Sequence, residues 1–192
     1  MTPPTGRRLV TAIAAVLIGT RVLAASSPGP ERQAPGQASP EYMIKAAYLL
    51  NFARLIEWPP QAFAAAEAPI TVGVVGADPF GQALELTFQG KTVNRRPIAV
   101  QRLQWSQDLR RCHILFVSQT DSGRLGELSN RVAGLPVLVV SEATQAAARG
   151  ATINFRIEDD RVRFDVNVDA AKRAQLTVSS QILRVATIVR DR

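Results

Sequence analysis

The sequence predicts an α/β fold: a three-layer sandwich whose mixed, mostly parallel sheet carries a C-terminal antiparallel hairpin and is flanked by helices. Three observations carry that prediction. The runs "ITVGVVG" (70–76), "CHILFVS" (112–118) and "PVLVVSE" (136–142) are almost continuously apolar. A strand loses its polar alternation when both of its faces are buried under helices. Helical patterns alternate with these runs, which implies parallel strands joined by right-handed crossovers. After Gly150 the pattern changes to strict alternation, the mark of a hairpin buried on one face only.

The elements follow in order. Pro40 suits the first position of a helix, and Ser39 before it can accept bonds from free backbone N–H groups. In "EYMIKAAYLLNFARLIEW" the residues Ile44, Ala47, Tyr48, Phe52, Leu55 and Ile56 recur at helical spacing and predict the inward face. Trp58-Pro59-Pro60 should stop this helix. The first apolar strand follows. Asp78 is then placed to cap, Pro79 to start and Gly90 to close a helix with Phe80, Leu84 and Phe88 on one face.

"RPIAVQRL" reads as a second strand and "CHILFVS" as a third. A short helix runs through Leu125, Leu128 and Val132, and "PVLVVSE" is the fourth strand. In "ATINFRIEDDRVRFDVN" Ile153, Phe155 and Ile157, then Val162, Phe164 and Val166, alternate around an "EDD" turn. Asp169 is placed to cap a short helical turn. A longer helix is expected over 179–190, with Ile182, Leu183, Ala186 and Val189 inward.

The N-terminus reads differently from the rest. Arg7 and Arg8 precede an apolar run from Leu9 to Ile18, and Val22 and Ala24 fit the −3 and −1 cleavage positions. This is the pattern of a secretory signal peptide over residues 1–25, and the apolar run is about half the roughly 20 residues needed to span a membrane. Arg21, close to the cleavage site, leaves an uncleaved anchor as the alternative. Residues 26–40, rich in Pro, Gly and Ser, read as a flexible linker, and 41–190 as the α/β domain.

Charge argues against nucleic acid. The chain carries +7, but three of its 23 basic residues and none of its 16 acidic ones lie in the leader, so the remainder carries +4. Its arginines are scattered and not interleaved with aromatics, which predicts a solvated surface rather than a nucleic-acid face.

The lone cysteine and the lone histidine are neighbours, Cys112 and His113. Adjacent strand residues point to opposite faces, so they cannot pair with each other. The flank "ILFV" predicts burial, which raises a thiol pKa and makes it inert. One of each falls short of a structural zinc site. Gly73, Gly76 and Gly81 do not spell a dinucleotide fingerprint, and no G-x-S-x-G elbow surrounds Ser179-Ser180. The expectation is a non-enzyme without cofactor or metal, working through a binding face.

Several stretches together carry a family resemblance: "IKAAYLLNFARLIEWP", "VVGADPFGQAL", "CHILFVS", "VLVVSE" and "GATINFRIEDDRVRFDVNVDAAKRAQLTVSSQILRVA". In this order they resemble the YfiR family of bacterial periplasmic proteins. The resemblance implies a regulator that represses a membrane-bound diguanylate cyclase, or a related inner-membrane sensor protein, by binding its periplasmic sensor region. Cyclic di-GMP, and with it biofilm formation, falls as a result. An outer-membrane lipoprotein is a second implied partner, and a homodimer is an implied assembly. The best-known members carry paired cysteines, whereas this chain keeps only Cys112.

By the same resemblance, the partner surface is expected on the hairpin and the turn after it, at Ile153, Phe155, Arg163, Asp165 and Asn167. Two alternatives stand beside this reading. Ile153 and Phe155 fill the core if the alternation alone decides. Arg163 and Asp165, two residues apart on one strand face, also suit a cross-strand ion pair. A small-molecule module using the cleft at the strand C-termini is the second functional class.

Overall fold

In a computed structural model, residues 39–191 are described, and the expected leader and most of the linker lie outside them. Helix α1 spans Pro40–Leu55. The Ser39 backbone carbonyl, rather than its side chain, accepts the first N–H bonds. The helix stops three residues earlier than the prolines require. Strand β1, Ile56–Glu57, leaves it to pair antiparallel with β9, Thr177–Val178.

The inward face of α1 is also turned from the expected one. Ala46, Leu49, Leu50, Phe52 and Ala53 are buried, while Ile44 is 48% exposed and Ala47 faces solvent. The helix is apolar nearly all round, so periodicity alone did not fix its orientation.

The main sheet has eight strands in the order β10-β8-β7-β6-β5-β2-β4-β3, with β10 covering Thr187–Val189. Strands β2 (Ile70–Val75), β4 (Arg96–Leu103), β5 (Ile114–Val117), β6 (Leu138–Ser141) and β7 (Ile153–Glu158) run parallel. Strand β3 (Thr92–Val93) joins one edge antiparallel. Strand β8 (Arg161–Asn167) closes the expected hairpin with β7. Asp159 and Asp160, at φ 48° and 56°, form its two-residue turn, with the paired positive φ values that match strand twist.

Helices cover both faces, as a three-layer sandwich requires. Against one face pack α1, α2 (Ala83–Phe88), α4 (Val168–Arg173) and α5 (Ser180–Leu183), closing a cluster that includes Leu49, Phe52, Phe80, Phe116 and Phe155. Against the other pack α3 (Leu125–Arg131) and a 3-10 turn at Ala146–Arg149, around Leu115, Val117, Leu125 and Leu128.

Three other local expectations change. Asp78 accepts from Phe80 N at 2.8 Å in a turn, and α2 begins five residues later. The cap of α4 is Asn167, not Asp169: its Oδ1 accepts from Asp169 N and Ala170 N. The long final helix is replaced by the single turn of α5 followed by β10, Thr187–Val189, parallel to β8. Thr-Ile-Val is a β-branched run, and a free sheet edge stood beside it.

Candidate functional site: the outward face of the hairpin

The β7–β8 register pairs Ile153 with Val166 and Phe155 with Phe164, and all four side chains face the helices. Phe155 packs 5.9 Å from Tyr48 and 5.8 Å from Phe52 between ring centroids. Ile153 is 0% and Phe155 1% exposed, so they are core residues and present nothing to a partner. Asn167 is buried as well. Besides capping α4, its Nδ2 donates to Ala147 O at 3.1 Å and to Asp191 Oδ1 at 2.8 Å.

The remaining two expected residues, Arg163 and Asp165, do lie together on the outward face. They do not pair with each other. The register sets Arg163 opposite Arg156 and Asp165 opposite Asn154. Asp165 Oδ1 accepts from Arg156 Nε at 2.9 Å. Arg156 also bonds Glu158 and donates from Nη2 to Thr187 Oγ1 at 2.8 Å. One guanidinium thus ties β7, β8 and β10 together. Arg163, exposed and across from a cation already engaged, makes no ion pair among the described residues.

Arg156 and Asn154 are not among the residues expected from the sequence, although the alternation places both on the face of Asp165. Thr187 had no signal while its segment read as helix.

Cys112 and His113 diverge as expected, though at a bend before β5 rather than within it. Cys112 lies in the cluster under α3, and burial, with Asp108 nearby, pushes its thiol up to about 11. The His113 ring stacks on Phe63 at 4.6 Å. Its Nδ1 accepts from Thr71 N at 3.1 Å and its Nε2–H donates to Ala62 O at 3.1 Å, an arrangement that fixes the neutral tautomer. Burial holds its pKa below the ordinary value, against the Ala62 carbonyl, and Arg96 adds to the depression.

At the C-terminal edge of the parallel strands, where such folds place ligands, the protein's own acids engage its backbone and side chains. The strand order reverses between β2 and β5. There Asp121 accepts from Ala77 N at 2.8 Å and from Trp105 Nε1 at 3.2 Å. Gly76 has φ +77°, and a Cβ there would stand 2.4 Å from Asp121 Oδ2. Beyond β6, Glu142 accepts from Tyr42 Oη and Gln119 N, both at 3.0 Å, and from Lys45 Nζ. Lys45 is only 3% exposed and sits over the Tyr42 ring at 4.6 Å. Burial, with Glu142 second, raises the Tyr42 phenol above its ordinary pKa. Among the described residues no group of three His, Cys, Asp or Glu is placed to hold a metal.

The fold and this surface define an α/β sandwich whose strand ends are engaged by the protein's own acids and whose hairpin turns a charged face to solvent. The YfiR/HmsC-like family model matches residues 42–187, most of the chain, and the protein belongs to that family. The family is a regulatory rather than a catalytic one, and it is periplasmic.

Proposed function

We propose that this protein is a periplasmic repressor, exported by its N-terminal signal peptide, that inhibits a membrane-bound diguanylate cyclase or related signalling enzyme. It would do so by binding the enzyme's periplasmic sensor region, lowering cyclic di-GMP. The family match over residues 42–187 carries this reading. The hairpin supports it, since Arg163 stands exposed beside the Arg156–Asp165 ion pair. A protein on one side of a membrane controls an enzyme on the other only by preferring one conformation of the spanning partner. A preference of about 1–3 kcal/mol is enough.

The test is co-purification of the tagged protein with membranes, together with cellular cyclic di-GMP after deletion. Deletion should raise the nucleotide. Arg163→Glu should reduce recovery of the membrane partner without shifting the melting temperature, because an exposed rim charge governs association rather than folding. If deletion leaves cyclic di-GMP unchanged and no membrane protein is recovered, the reading is wrong.

A further inference from the structure

Beside the hairpin runs an open groove of about 1380 Å³, between the α3 side of the sheet and the start of α4. One side is formed by the end of α3 and the turn at 143–150, the other by α4 and the segment 189–191. Pockets for small ligands usually enclose about 300–1,000 Å³, so this space suits a longer occupant. We propose that the groove receives an extended acidic peptide segment.

Two independent observations point there. The first is charge. Four arginines line the groove, Arg149, Arg156, Arg173 and Arg190. Arg156 is engaged by Asp165 and Glu158, and Arg173 by Asp191. Arg149 and Arg190 are exposed and form no ion pair among the described residues. The third acid in the lining, Glu142, is matched by Lys45. The groove therefore offers two uncompensated cations, one on each side.

The second observation is Asn154. It lines the groove and is 7% exposed, yet its Oδ1 has no hydrogen-bond partner. Its Nδ2 reaches only Asp165 Oδ2, at 3.5 Å. An unpaired buried amide oxygen costs about 1–3 kcal/mol. Torsion about the terminal bond of Asn is soft, so the amide can turn outward at little cost. An extended peptide presents the matching pair, an N–H for Oδ1 and a C=O for Nδ2. Its side chains alternate, which would send acids toward Arg149 and Arg190 and small apolar groups toward the Val139 and Ala147 side. This inference rests on the regulatory reading only for who supplies the segment; the groove's preference stands apart from it.

Fluorescence anisotropy of a labelled peptide of alternating Glu and Val, titrated with the full-length protein, tests the proposal. Saturable binding is expected, with none for the Lys–Val counterpart. The double variant Arg149→Glu/Arg190→Glu should abolish binding, and Asn154→Ala should weaken it roughly tenfold, the cost of one hydrogen-bonded anchor. Arg54→Glu, on α1, should leave it unchanged. Equal binding of the acidic and basic peptides, absence of saturation, or full binding by the folded charge-reversed variant overturns the proposal. The measurement needs no membrane partner, so its failure leaves the cyclase reading intact, and an unchanged cyclic di-GMP level on deletion leaves the peptide result intact.

Discussion

Cys112 is 3% exposed, and burial pushes its thiol up to about 11. At neutral pH the nucleophilic thiolate is all but absent. A maleimide should therefore leave the folded protein unlabelled and modify it fully in denaturant, which mass spectrometry reads directly. His113 predicts a pH dependence. Its folded pKa lies below the unfolded one, so below about pH 6.5 the unfolded chain takes up more protons than the folded chain. Stability conferred by His113 is complete above that pH and is lost as the pH falls through the depressed value. Urea unfolding between neutral pH and pH 5 should show this acid slope, and His113→Asn should flatten it. Burial of both residues was legible from the apolar flank "ILFV". The ring's partners were not, because Ala62 and Thr71 belong to distant segments.

Helix α1 shows what an element-level pattern leaves open. Its apolar positions form no single stripe, so the orientation is set by what the sheet offers rather than by its own period. Lys45 turns inward because Glu142, at the end of β6, and Glu41, one turn earlier, receive its ammonium. Glu142→Ala should destabilise the protein by about 3 kcal/mol, since a buried cation loses its better-shielded partner. Lys45→Met combined with Glu142→Leu should cost clearly less, and a double-mutant cycle in urea gives the difference. The misread C-terminal helix has a related cause. A three-residue strand is too short to show a period, and β10 exists because β8 leaves a ladder edge open to it.

For the whole molecule, the sheet class, strands β2, β4, β5 and β6 and the hairpin were visible in the sequence, chiefly because buried parallel strands announce themselves by unbroken apolar runs, whereas the two- and three-residue strands β1, β3, β9 and β10 were not. The site was legible only in part. Alternation marks a face but says nothing of which arginine an aspartate will choose, and that choice depends on register and on β10. Both hydrophobic clusters share one sheet, so neither can survive without the other. The two tryptophans report on them separately, Trp58 against the first and Trp105 against the second. The single-tryptophan variants Trp58→Phe and Trp105→Phe should unfold with the same midpoint, within the shift each substitution itself causes, and should coincide with circular dichroism. Separate midpoints would mean two foldons.

Asp121 has a wider meaning. Related α/β architectures leave the gap between their divergent strands vacant and let a cargo's phosphate complete it. Here the polypeptide supplies its own carboxyl group, tethered by the backbone N–H of Ala77 and the indole N–H of Trp105. The place where an incoming phosphate would accept those two N–H bonds is thus taken by one of the protein's own side chains, and the outermost charged surface left on this sheet is its flank.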